Sequence, residues 1–209
     1  MNLWEKLEVS WKSMIPAVAV NVPVAIRLNH AYELTNAGRF DEARDIYWSI
    51  LLEDSENITA GINLGDVLVQ QKAYADAAII LGIMVTKAPA HHAVWCNLSA
   101  ALSGLGDHEQ AIIAANKAIE VNNLNPMAYY NRAECWNHWH RPELAIRDYE
   151  KAILLDPSNT EIQDQLRITR IAMEPPAQPF GDTKYELMCN APRTWIVDSM
   201  EVASTLQCP

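Results

Sequence analysis

The chain has 209 residues, half of them apolar and a fifth charged, with 16 Lys and Arg against 26 Asp and Glu for a formal net charge of −10. That length suits one domain with or without a tail, and that composition suits a chain able to build a core. An acidic chain repels phosphate backbones and anionic lipid, so nucleic acid and membrane surfaces are poor partners, and seven Gly are few for an all-β fold with its many tight turns.

The first predicted element is a helix at the N terminus, where Leu3, Trp4, Leu7, Trp11 and Met14 fall at helical spacing. It reads as a helix packed on the body of the protein. Docking to a partner or a membrane surface is the sharper alternative, and the balanced charges of Glu5, Lys6, Glu8 and Lys12 argue against the membrane. Residues 15–26 form the longest apolar run, but Pro16, Asn21 and Pro23 interrupt it. No stretch reaches the roughly 18 apolar residues of a membrane span. Ala17-Val18-Ala19 resembles a signal-peptide cleavage site, yet Glu5 and Glu8 spoil the positive segment such a peptide needs. The four cysteines, Cys96, Cys135, Cys189 and Cys208, form no C-x-x-C pair and no zinc spacing. They read as reduced thiols in a cytoplasmic protein.

From residue 24 the chain repeats itself. Ala43, Ala77, Ala111 and Ala145 are spaced by a constant interval, and Asn29, Asn63, Asn97 and Asn131 keep it. So do Leu34, Leu68 and Leu102, with Trp136 in the fourth place. Four windows run without insertion: 24–57, 58–91, 92–125 and 126–159. Each holds two stretches with apolar residues at helical spacing, such as Leu98, Leu102 and Leu105. Small residues at fixed points let paired helices approach closely. Gly38 and Gly106 stand where a first helix ends in a left-handed cap. Lys72 and His140 stand there instead in the second and fourth windows, so those turns are expected to be strained or differently shaped. Pro142 suits the first turn of a helix, and Ala88-Pro89 and Asp156-Pro157 end one repeat before the next. The period and the residue types resemble the tetratricopeptide repeat (TPR). At the point where the second and third windows carry Leu64 and Leu98 stand His30 and Arg132, positions where that resemblance implies Leu, and Arg132 there means either an exposed end of the stack or a buried ion pair. The third window carries Trp95, Leu98, Ser99, Leu102, Gly106, Ala111 and Ala118, and the fourth Tyr129, Ala133, Trp136, Ala145, Tyr149, Ala152 and Pro157. The resemblance implies an all-α fold: a right-handed α-solenoid of four TPR helix pairs.

Beyond the repeats, residues 160–174 read as a capping helix, with Ile162, Leu166 and Met173 on one face and polar residues around the rest. Pro175, Pro176 and Pro179 open a linker, and 175–209 form a largely irregular tail. Within it, Asp198 and Glu201 resemble a capping pair before a short helix, and Trp195-Ile196-Val197 is apolar enough to pack on something. A homodimer through the N-terminal helix or the tail is one expectation.

In the TPR family the sixth position of each repeat points into a concave groove lined by the first helices. Here that position is Asn29, Asn63, Asn97 and Asn131. An amide offers both donor and acceptor and can hold a peptide unit without reading its side chain. Such a column resembles the asparagine ladder of the O-linked N-acetylglucosamine transferases; bracing of neighbouring helices is the plainer reading. Around it stand Leu28, Ile62, Cys96 and Tyr130, then Tyr32, Asp66, Ala100 and Glu134. The resemblance thus implies an apolar groove with amide rungs and two acidic spots, suited to an extended segment of another protein with apolar side chains and a basic residue. None of these positions is Lys or Arg, which argues against the basic clamp by which heat-shock adaptors hold a C-terminal carboxylate. His138 and His140 lack a third ligand at set spacing, so no metal site is expected. Cys135 falls on a packing position, and no phosphate-binding or nucleophile motif is present, so no catalytic residue and no cofactor are expected. The function implied is a non-catalytic adaptor. The alternative is a chaperone like the class II chaperones of type III secretion, which guard apolar segments of translocator proteins.

Overall fold

The computed structural model describes residues 22–173. The N-terminal helix, the linker and tail beyond 174, and any dimer contact through them lie outside the described residues. The described residues are all-α, with nine helices: α1 (Val24–Asn36), α2 (Phe40–Glu53), α3 (Ile58–Gln70), α4 (Tyr74–Lys87), α5 (His92–Gly104), α6 (His108–Val121), α7 (Pro126–His138), α8 (Pro142–Leu155) and α9 (Thr160–Met173). The first helices, α1, α3, α5 and α7, and then α9, begin at residues 24, 58, 92, 126 and 160. The second helices, α2, α4, α6 and α8, begin at 40, 74, 108 and 142.

Local chemistry sets the helix starts. The side chains of Asn57, Asp107, Asn125 and Asn159 accept from the backbone N–H of Ala60, Gln110, Met127 and Ile162 and so cap α3, α6, α7 and α9. Pro126 and Pro142 open α7 and α8, where a missing N–H costs nothing.

The turn inside each helix pair has one shape. Its residue at positive φ is Gly38 (73°), Lys72 (60°), Gly106 (82°) or His140 (52°). The residue after it donates to a carbonyl of the preceding helix in every case: Arg39 to Leu34, Ala73 to Leu68, Asp107 to Leu102 and Arg141 to Trp136. The expected difference in shape at Lys72 and His140 is therefore absent. The bonding pattern forces a left-handed residue there whatever its side chain.

Small residues let the two helices of a pair meet. Ala31, Ser99 and Ala133 are buried, and Ser99 Oγ donates to the Ala111 carbonyl across the pair at 2.8 Å. Gly65 holds the same place in the second pair, where a Cβ would lie 2.4 Å from Leu81 Cδ2. Ala43, Ala77, Ala111 and Ala145 face them, all fully buried. The pairs then stack. α1 packs on α3, α3 on α5 and α5 on α7, with no comparable packing between successive second helices. The first helices therefore lie on the inner side of the curve and the second helices on the outer side. Arg132 resolves as an ion pair: its Nε and Nη2 donate to Asp148 of α8 at 2.7 and 2.6 Å, and its Nη1 to Asn116 of α6 at 2.6 Å.

α9 packs on the fourth pair through Ile162, Leu166 and Thr169. Met173 is exposed, so it does not share the buried face expected for it; Thr169 takes that place.

Candidate functional site

The inner face of α1, α3, α5 and α7 carries the residues singled out from the sequence, and it treats the four asparagines differently. Asn29 is exposed and donates to Glu33, one turn along its own helix, at 3.1 Å. Asn63 is half-buried. Asn97 is half-buried, and its amide lies 3.5 Å from the Ile62 carbonyl on α3. Asn131 is only 8% exposed, and its amide donates to the Cys96 carbonyl on α5 at 2.9 Å. The last two brace consecutive first helices across the stack. Asn131 in particular is less free for a ligand, because its buried Nδ2 already holds a neighbouring carbonyl. Ile62 and Cys96 are buried too, so of the four expected apolar positions only Leu28 and Tyr130 keep partial exposure.

The positions one turn further along are more open. Tyr32 is 55% exposed, and Asp66, Ala100 and Glu134 are half-buried. Burial pushes the Asp66 carboxyl above the usual carboxylate range, against a lowering by its hydrogen bond with Gln70. Glu134 accepts from the Tyr149 hydroxyl. Tyr130 donates to Glu161 of α9 at 3.1 Å, and burial together with Glu134 and Glu161 holds its phenol well above the ordinary value. The rings of Tyr130 and Tyr149 meet at 6.0 Å.

Among the described residues this surface presents no Lys or Arg, and the structure gives the reason. Arg27 and Arg132 are the two Lys or Arg residues on α1, α3, α5 and α7. Both turn away into the body of their own repeat. Arg27 is buried, donates to Glu53 of α2 in a two-pronged contact with one arm at 2.8 Å, and holds the Glu53 carboxyl below its usual range. Arg132 is engaged with Asp148. Asp66, Glu134 and Glu161 form no ion pair with any described residue. The inner face is thus a strip of tyrosine, amide and carboxylate.

Burial pushes the Cys96 thiol up to about 12 and raises that of Cys135, which keeps both from ionising. His138, at the end of α7, stacks on His108 of α6 with ring centroids 4.4 Å apart, a contact no spacing rule would reveal. No group of three or more His, Cys, Asp or Glu among the described residues is placed to hold a metal ion. A cavity of about 20 Å³ between α2, α3 and α4, lined by Trp48, Leu64, Leu68 and Ile80 among others, is too small for a partner's side chain. No helix among the described residues is long and apolar enough to cross a membrane.

Comparison with known proteins agrees with this architecture. Sequence models described as tetratricopeptide repeat match residues 28–91, 92–123 and 126–159. The Hsp70-Hsp90 organising protein of Plasmodium falciparum is 31% identical over 108 residues, which are 51% of this chain and 42% of that protein. This chain therefore spans less than half the length of that relative. Among solved structures, a thermophilic TPR protein of Thermus thermophilus, TTC0263, aligns with a TM-score of 0.68 and 20% identity over 72% of this chain and 83% of that one. The first TPR of Spaghetti (RPAP3) bound to the HSP90 peptide SRMEEVD aligns with a TM-score of 0.52 and 24% identity over 57% of this chain and 94% of that one. At such identities these structural likenesses bear on the fold.

Proposed function

Because the chain belongs to the tetratricopeptide repeat family, we propose that it is a non-catalytic adaptor that seats a segment of another protein against the inner face of α1, α3, α5 and α7. The observation that supports this most directly is the disposition of charge. Asp66 and Glu134 stand on that face and form no ion pair with a described residue, while Arg27 and Arg132 are consumed inside their repeats. A bound segment meets exposed Tyr32, the amides of Asn29 and Asn63, and carboxylates. Apolar and basic side chains complement that lining, and acidic ones are repelled.

This sets the chain apart from the RPAP3 domain, whose peptide SRMEEVD carries three acidic side chains. Fluorescence anisotropy with SRMEEVD and with a counterpart bearing Lys at the three acidic places tests the reading. The Lys peptide is expected to bind with an affinity that falls as salt rises, and to lose at least tenfold when Asp66 and Glu134 are both changed to Ala in a chain whose circular-dichroism melt is preserved. Tight binding of SRMEEVD itself, or indifference of the Lys peptide to Asp66 and Glu134, would overturn it.

A further inference from the structure

The last described helix keeps the register of the first helices. α9 begins 34 residues after α7, as α7 begins 34 after α5. It also docks in the same rotation as the first helices. Its buried Ile162 and Thr169 fall one period after Ala128 and Cys135, and two periods after Val94 and Ala101, all of them buried. Two hydrogen bonds to α7 fix it there: Tyr130 to Glu161 at 3.1 Å and Asn137 Nδ2 to Thr169 Oγ1 at 2.9 Å. A helix in the same register presents the same face to the groove. Gln165 therefore stands where the asparagines stand in the repeats, and Ile168 stands where Tyr32, Asp66, Ala100 and Glu134 stand. Ile168 is 55% exposed, although a helix that only solvated the end of the stack would carry a polar residue there.

We propose that α9 is a fifth groove-lining helix and that it binds the same partner segment, taking an apolar side chain on Ile168 beside a Lys or Arg held between Glu134 and Glu161. Among the described residues the two carboxylates accept from tyrosine hydroxyls, those of Tyr149 and Tyr130, and form no ion pair. The cations of α9 itself are engaged elsewhere, Arg167 with Asp164 and Arg170 with Glu150 of α8. The occupant is thus a stretch in which a basic residue is followed within a few positions by an aliphatic or aromatic one.

This inference rests on the groove reading above, and its test separates the two. The full chain is used to select from a phage-displayed random dodecapeptide library, and the selected peptides are synthesised and titrated by anisotropy. The expected peptides carry Lys or Arg close before a Leu, Ile, Val or Phe. Ile168→Glu is expected to weaken them at least tenfold and Gln165→Ala several-fold, with melts like that of the parent chain. Ile168→Ser guards against a misfolding or purely electrostatic effect of the Glu variant. Peptides that lose affinity on Asp66→Ala but bind the Ile168 and Gln165 variants as tightly as the parent would reduce α9 to a cap while leaving the groove reading standing. Failure to select any peptide, or peptides indifferent to Asp66 and Glu134 as well, would overturn both.

Discussion

Single side chains decide what the repeats can offer, and Asp148 is the sharpest case. It is 8% exposed and accepts from Arg132 through two nitrogens and from Trp136 Nε1 at 3.2 Å, so one carboxylate ties α7 to α8. Its loss would leave a partly buried guanidinium and an indole N–H without an acceptor, a costlier outcome than never having built the pair. Asp148→Ala is expected to lower stability by about 3 kcal/mol in urea titration; a change under ~0.5 kcal/mol would show that Asn116 and water suffice. His108 gives a pH dependence of definite sign. Burial first, and the stacked His138 second, hold its pKa below the ordinary imidazole value, against a rise from Asp107. Its Nδ1 is buried without a partner. The neutral ring is thus the one the fold prefers. Stability linked to it is present above the unfolded imidazole pKa of about 6.5 and is lost as pH falls through the lower folded value. Melts from pH 8 to pH 5 are expected to fall less steeply for His108→Gln than for the parent chain, and equal slopes would assign the acid loss elsewhere.

At the scale of elements, the four turns test what the repeat tolerates. Lys72 and His140 hold the left-handed conformation that Gly38 and Gly106 adopt freely. A non-glycine residue pays roughly 1–2 kcal/mol there, part of which glycine returns as backbone entropy lost on folding. Lys72→Gly and His140→Gly are each expected to raise stability by about 0.5–1 kcal/mol, seen as a higher urea midpoint at unchanged slope. A fall on either change would mean that the side chain makes a contact worth more than the strain. The helix pairs were legible in the sequence, because close-packed alanines and helix-ending residues recur at a constant interval, but the side-chain caps and the shared shape of the Lys72 and His140 turns were not. The candidate site was less so. Spacing places Asn29, Asn63, Asn97 and Asn131 at one point of the repeat, yet only the structure separates exposed Asn29 from Asn131 locked on Cys96. Whether an amide faces ligand or neighbour depends on the carbonyl that the previous repeat presents, which is a contact between residues 35 apart. The same holds for Arg27, whose removal from the inner face needs Glu53 26 residues away.

Across the whole stack, burial is graded, and the grading places the soft joint. The main apolar cluster runs from Ala31 to Ala101 and contains Tyr47, Trp48, Ile50, Leu51, Leu64, Ile80, Leu81 and Met84. Beyond it the buried residues divide into three smaller clusters. The cause sits in α6, which buries Ala114, Ala115 and Ala118 where α4, one period earlier, buries Ile80, Leu81 and Met84. Alanine lets helices approach more closely, which limits voids, but it removes less surface from water. At ~0.8 kcal/mol per buried CH₂, three such exchanges withhold several kcal/mol from the third repeat. Because each repeat leans only on its neighbours, that deficit is not spread over the chain. Native-state hydrogen exchange is therefore expected to show the α5–α6 amides opening at least about 2 kcal/mol below those of α3 and α4. Ala114→Ser, which removes nothing from the main cluster, is expected to widen the gap by speeding exchange in α6 alone. Uniform protection from α3 to α8 would mean that the stack unfolds as one unit despite its uneven core. Under the expected gradient, the inner face has a stiff half, Tyr32 to Asp66, joined through a softer third repeat to the half that runs from Glu134 to α9. A bound segment spanning both halves would then slow exchange in α6 more than anywhere else, since binding to both ends opposes the opening between them.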